Sequence, residues 1–177
     1  MIYLFRMISD ENQDFCRDVV IDGADTFLDF HQCIQENLHY DPSQLASFFI
    51  TNEHWEKQQE ITLIDMMEES ALETAAMDQA VIQDFISAVN DRMIYVFDFF
   101  SERVFFIECI EKSDQTTGKK TPFVGHARGD APPQLAVDLL AGEEGPPLDE
   151  EENEDQDNIW LDDLDMDLPD PDNPDDY

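Results

Sequence analysis

The sequence predicts an α+β domain, with helices packed on a mainly antiparallel sheet, followed by a disordered acidic C-terminal tail. Short runs of β-branched and aromatic residues recur from residue 2 to residue 110, as in β-strands. One stretch, residues 26–40, instead has apolar residues at helical spacing. After Gly142 the composition changes abruptly to Asp, Glu, Pro and Gly. We therefore predict a domain over residues 1–142 and a tail over residues 143–177.

The first half of the domain is predicted to begin with an antiparallel hairpin, whose strands span residues 2–8 and 15–21. A helix follows between Thr26 and Tyr40. Thr26 and Asp29 have the spacing of a capping box, with Asp in place of the usual Glu, and Pro42 ends the helix. One helical face carries large apolar residues at the expected spacing: Phe27, Phe30, Ile34 and Leu38.

The middle of the chain predicts two more strands, at residues 45–51 and 61–64, joined by a polar connection that holds Trp55. Residues 65–80 are acidic and rich in alanine, which indicates an exposed, partly helical insertion. The apolar residues of the segment 81–86 then predict a short helix, because they recur at helical spacing.

The most apolar stretch, residues 93–110, predicts a hairpin at the centre of the sheet. Two runs rich in Ile, Val, Phe and Tyr flank a polar turn at residues 101–103. Alternation places Met93, Tyr95, Phe97 and Phe99 on one side of the first strand and Ile94, Val96 and Asp98 on the other. Runs that are apolar on both sides indicate strands covered on two faces.

The remainder of the domain, residues 111–134, predicts an irregular loop, and residues 134–141 predict a final helical turn. The predicted order is therefore β-β-α-β-β-α-β-β. A hairpin followed by a helix and further strands is a β-grasp-like opening.

A family resemblance rests on four elements: the opening hairpin, the helix between Thr26 and Tyr40, the strand Phe48-Phe49-Ile50 and the central hairpin. Phe97-Asp98-Phe99 and Ala131-Pro132-Pro133-Gln134 are what the chain keeps of two family motifs. The chain resembles the plasmid pRiA4b ORF-3-like family over most of residues 1–140. Of that family's Tyr-Asp-Phe-Gly-Asp-x-Trp-x-His segment, the chain replaces Gly-Asp with Phe100 and Ser101, and has Arg103 and Phe105 at the Trp and His positions. The resemblance implies the fold, and it implies that Asp98 is the remnant of a degenerate polar motif.

Charge and cysteine content limit the classes of function. The 177 residues include 43 acidic and 9 basic ones, for a formal net charge of −34. Nucleic acids and anionic membranes attract basic surfaces, so we expect direct binding to neither. No apolar run has the length of a membrane span, and the apolar start is interrupted by Arg6, which favours a strand over a signal peptide. Three widely spaced cysteines predict no disulfide framework, so we expect a cytoplasmic location.

The sequence carries no constellation that is typical of an enzyme or a metal site. His31, His39, His54 and His126 are scattered, so surface or capping roles are favoured over metal binding. Cys16, Cys33 and Cys109 lie in apolar surroundings, which are typical of buried thiols. No nucleophile elbow, phosphate loop, dinucleotide fingerprint or metalloprotease helix occurs. We therefore predict no catalytic residue, no metal and no cofactor.

Two places remain as candidate sites. Asp98 lies among aromatic residues on a strand, where it is either a functional buried carboxylate or the ion-pair partner of Arg103 or Arg92. In the tail, the segment 158–168 places a set of large apolar residues on one helical face among aspartates: Trp160, Leu161, Leu164 and Leu168. That pattern is typical of disordered segments that fold into the groove of a partner. The alternative is a solubilising tail whose Trp160 docks on its own domain.

These observations predict a non-enzymatic protein-interaction domain with an adaptor or regulatory role. It would bind a protein partner partly through the tail segment 158–168, and an acidic surface suits a basic partner. The alternative function is a mimic of nucleic-acid charge that occupies the basic groove of a DNA-binding protein. The sequence gives no indication of the oligomeric state.

Overall fold

The computed structural model describes residues 1–63 and 73–135, which form an eight-stranded sheet with two helices. The strands are β1 (Ile2–Ile8), β2 (Cys16–Asp22), β3 (Ser47–Thr51), β4 (Lys57–Thr62), β5 (Glu73–Ala76), β6 (Arg92–Asp98), β7 (Arg103–Ser113) and β8 (Phe123–Arg128). The helices are α1 (Phe27–Leu38) and α2 (Ile82–Phe85). The predicted tail, residues 143–177, lies outside the described residues.

The sheet has the strand order β5-β4-β3-β6-β7-β1-β2-β8. Its neighbouring strands are antiparallel except for β4 and β5, which are parallel. The α+β class and the mainly antiparallel sheet are thus confirmed. The β6–β7 hairpin occupies the two middle positions, as its apolar composition predicted.

The observed order contains two strands that the sequence pattern did not predict. β5 lies within residues 65–80, which were predicted as an exposed and partly helical insertion, and β8 lies within the predicted irregular loop. Both are edge strands, so backbone pairing with a neighbour creates them rather than an apolar pattern of their own. β4 also begins earlier than predicted, at Lys57. In the described part of the chain, no helix is long and apolar enough to cross a membrane.

Helix α1 begins with the predicted capping box. The Thr26 hydroxyl accepts a hydrogen bond from the Asp29 backbone N–H at 3.1 Å, and the Asp29 carboxylate accepts one from the Thr26 N–H at 2.9 Å. The helix then packs its aromatic face on the sheet. The Phe30 ring stacks against Phe5 of β1 and Phe48 of β3, with ring centroids 5.4 and 5.3 Å apart. These contacts join α1 to strands on both sides of the central hairpin.

Loss of this cap should lower the stability of the domain measurably. We expect Thr26→Ala to lower the free energy of unfolding by about 1 kcal/mol, because the Asp29 N–H in the first turn loses its acceptor. Urea denaturation of the full chain measures the change. Thr26→Ser keeps the hydroxyl and should cost less than Thr26→Ala; equal stability of the two variants would contradict a capping role for the hydroxyl.

The sheet buries apolar residues on both of its faces. The face under α1 carries the larger cluster, to which β6 contributes Met93, Tyr95 and Phe97 as predicted. The opposite face carries a smaller cluster formed by Phe49, Ile94 and Val96, with three partly buried residues around it: Trp55, Val104 and Phe106. The central strands are therefore covered on two faces. Phe99 departs from the predicted pattern, because β6 ends at Asp98 and the Phe99 side chain is exposed.

Candidate functional site

The turn between β6 and β7 is organised by the carboxylate of Asp98, the candidate residue of the family motif. Asp98 is 4 % exposed, and its Oδ1 accepts hydrogen bonds from the backbone N–H groups of Phe100 at 3.0 Å and Ser101 at 3.2 Å. Aspartate commonly fixes a turn in this way, by bonding the backbone two or three residues ahead. Its observed contacts are therefore those of a residue that shapes the turn.

Arg103 holds the base of the same turn. Its Nε and Nη2 donate to the two carboxylate oxygens of Glu11 at 2.9 and 2.7 Å, and its Nη1 lies 3.9 Å from Asp98 Oδ2. The guanidinium also lies over the Phe97 ring and donates to the Gln134 carbonyl. The hydrogen bonds to Glu11 raise the pKa of Arg103 although the side chain is only 9 % exposed. Of the two partners predicted for Asp98, the structure places Arg103 beside it.

This network leaves an apolar turn exposed to solvent. We call residues Phe99, Phe100, Ser101 and Glu102 the hairpin tip. Phe100 is 96 % exposed and Phe99 is 45 % exposed, whereas Phe97, two residues earlier, is buried. Glu102 completes the turn with a positive φ of 53°. The structure thus fixes the backbone of two adjacent phenylalanines and leaves their rings accessible.

The four residues predicted to bind a partner through the tail, Trp160, Leu161, Leu164 and Leu168, lie outside the described residues. Their role stays a prediction.

The histidines are distributed as the sequence predicted, with one exception. His39 is the C-cap of α1 in the left-handed conformation, and His54 and His126 are exposed. His31, predicted as a surface or capping residue, is instead buried, and burial lowers its pKa to about 4. Within residues 1–63 and 73–135, no three His, Cys, Asp or Glu side chains are grouped as metal ligands.

The burial of His31 reflects a polar cluster that the sequence pattern did not predict. His31 Nδ1 is hydrogen bonded to the Tyr95 hydroxyl at 2.8 Å, and Gln35 Nε2 donates to the same oxygen at 2.7 Å. His31 and Gln35 are four residues apart on α1 and so share a helical face, which is the signal that could have revealed the pair. The cluster ties α1 to the central strand β6.

The cysteines agree with the prediction of buried thiols. Cys16 and Cys109 are buried and Cys33 is partly buried. Burial raises the pKa of the Cys33 thiol and of the Cys109 thiol to about 11. Because the thiolate is the nucleophilic form, these two side chains are unreactive near neutral pH.

In a comparison with known proteins, the sequence model of a family described as plasmid pRiA4b ORF-3-like protein matches residues 6–138. No curated protein matches the chain. Among solved structures, the chain is similar to the crystal structure of a protein of unknown function from Methanosarcina mazei Go1, with a TM-score of 0.62 and 17 % identity. The similarity covers 75 % of this chain and 72 % of that one, and at this identity it supports the fold alone.

Proposed function

The chain belongs to the plasmid pRiA4b ORF-3-like family, and on that premise we propose that it is a non-enzymatic protein-interaction domain, with an adaptor or regulatory role, that presents its hairpin tip to a protein partner. The observation that carries the proposal is Phe100, a phenylalanine that is 96 % exposed on a fixed turn. Exposed aromatic side chains are a recurring feature of protein-binding surfaces, because burying them in a partner is favourable.

The fixed backbone makes the tip a better ligand than a flexible loop would be. Asp98 bonds the N–H groups of Phe100 and Ser101, so the turn is already formed before a partner arrives. A partner therefore does not have to supply the free energy needed to order the loop. Complete burial of one phenylalanine side chain contributes about 2 kcal/mol, which suits a central anchor of a small interface.

Charge indicates which partner fits. The predicted domain, residues 1–142, has 26 acidic and nine basic residues, and Glu102 belongs to the tip itself. An apolar pocket with a basic rim would complement the two phenylalanines and the acidic surface around them. The tail segment 158–168 would add a second contact of the same character, apolar side chains among carboxylates.

Variants of the tip test the proposal. We expect Phe100→Ser to weaken partner binding by about 2 kcal/mol, because the variant removes the anchor and leaves the turn intact. The measurement is affinity purification with quantitative mass spectrometry, followed by Kd determination for the partner recovered. Val89→Ser is the matched control, because Val89 is another exposed apolar residue and precedes β6, at the opposite end of that strand from the tip. A partner retained equally by wild type, Phe100→Ser and Val89→Ser would contradict the proposal.

The net charge of −34 supports one alternative, the mimicry of nucleic-acid charge on a basic groove. The two functions differ in salt dependence. Electrostatic mimicry would lose its partner as salt rises, because screening weakens charge attraction, whereas apolar docking of the tip should persist. Purification in low and high salt distinguishes the two functions. Comparing the full chain with a chain ending at Gly142 measures how much the tail contributes to partner binding.

A further inference from the structure

We propose that a second site, a pocket on the sheet face opposite α1, binds the oxyanion group of a small metabolite. The pocket has a volume of about 440 Å³, and its polar lining comes from β1, β2, β8 and the turn after β1: Arg6, Ser9, Gln13, Cys16, His126 and Arg128. The proposal is independent of the hairpin tip, because a different set of strands forms the pocket.

The pairing register explains why these side chains converge. Across β1, β2 and β8, Arg6 pairs with Asp18 and Asp18 with His126. Two residues further along the same strands, Ile8 pairs with Cys16 and Cys16 with Arg128. Directly opposed residues on neighbouring antiparallel strands point to the same face, so both rows project from one surface. Phe5, Met7 and Val19, which alternate with these residues, are buried in the cluster under α1.

The charges in the pocket do not cancel. Arg6 donates from Nε and Nη2 to the two oxygens of Asp18, both at 2.8 Å, and these bonds lower the pKa of the Asp18 carboxyl. Arg128 uses only Nε, which donates to the Asp14 carbonyl at 3.1 Å, and it forms no ion pair with a residue of the described ranges. One guanidinium is neutralised and the other is left with both Nη groups available to a ligand.

The available donors suit an oxyanion. A guanidinium with two accessible N–H₂ groups matches phosphate or carboxylate oxygens. Exposed His126 lies beside it on the same strand. The Ser9 hydroxyl accepts a hydrogen bond from the Glu11 N–H at 3.1 Å and keeps its own proton to donate. The volume lies in the range of small-molecule pockets, and Ile8 at the wall, 45 % exposed, offers apolar contact to the rest of a metabolite.

Because the protein is strongly acidic, any anion binding would indicate a specific site. With only nine basic residues in a chain of net charge −34, general attraction of anions to the surface is unfavourable. Saturable binding of an anion therefore requires a local arrangement of donors.

Calorimetric titration of the full chain with inorganic phosphate, at constant ionic strength, tests the proposal. We expect saturable binding that weakens about tenfold in Arg128→Gln, because a charge-assisted hydrogen bond is lost. Lys57→Gln is the matched control: it removes one positive charge from β4, at the far side of the sheet, and should bind phosphate as wild type does. A parallel titration with acetate shows whether the site prefers a carboxylate or a phosphate.

A second variant keeps the test valid if Arg128→Gln is poorly folded. His126 is exposed on an edge strand, so His126→Gln should fold normally and bind phosphate more weakly than wild type. Circular dichroism and urea denaturation check the fold of each variant. Absence of saturable binding of both anions to the wild type, or equal affinities in wild type, Arg128→Gln and His126→Gln, would overturn the proposal.

Discussion

Replacing Arg103 with methionine should lower the free energy of unfolding by about 3 kcal/mol. The guanidinium is shared by Glu11 and Asp98, and Asp98 is almost fully buried. Methionine fills similar space without charge and leaves a buried carboxylate without its cation. We place the effect at the low end for broken buried pairs because Glu11 is partly exposed and can be hydrated.

The matched comparison for this variant is Arg92→Met. Arg92 also joins two neighbouring strands through a carboxylate, with its Nε 2.9 Å from Glu108 Oε2, but both side chains are about a third exposed. Such a pair contributes up to about 1 kcal/mol. Urea denaturation of both variants measures the difference. If the two variants are equally stable, the Arg103 network has no more importance for stability than a surface ion pair.

The hairpin tip shows how far the sequence could predict the site. The family motif and the turn spacing identified Asp98 and suggested Arg103 as its partner, because the two residues are close in sequence. Glu11 could not be identified, since it is 92 residues from Arg103 and meets it only when β1 and β7 pair. The exposure of Phe99 and Phe100 was also missed, because strand alternation alone does not show where β6 ends.

The same distinction between local and long-range signals applies to the fold. The capping box of α1 and the two hairpins are encoded within short segments, and all were predicted. β5 has the sequence Glu-Thr-Ala-Ala and β8 contains Gly125, so neither has an apolar pattern. Each exists because a neighbouring strand of the sheet, β4 for β5 and β2 for β8, offers backbone hydrogen bonds. The pocket proposed to bind an oxyanion depends on β8, which pairs with a strand about a hundred residues earlier, and it therefore could not be predicted.

The second large effect concerns the stability of the domain in acid. Between pH 6.5 and pH 4, the low pKa of His31 should lower the free energy of unfolding by about 3 kcal/mol. Burial lowers the pKa of His31 from 6.5 to about 4 in the folded chain. Above pH 6.5 the imidazole is neutral in both the folded and the unfolded state and has no effect. As the pH falls below 6.5, the unfolded chain binds a proton that the folded chain refuses, so stability is lost progressively until the folded pKa is reached.

The variant His31→Gln should lack this acid-dependent loss. Whatever its stability at pH 7, its free energy of unfolding should fall less steeply than that of wild type between pH 6.5 and 4, because glutamine does not titrate. Carboxylates contribute to both proteins alike, so the difference between the two profiles isolates the imidazole. His39→Asn is the control: His39 is exposed at the C-cap, and asparagine accepts its left-handed backbone. Parallel profiles for wild type and His31→Gln would mean that the folded domain protonates His31 freely, and the buried cluster with Tyr95 and Gln35 would then not hold the imidazole neutral.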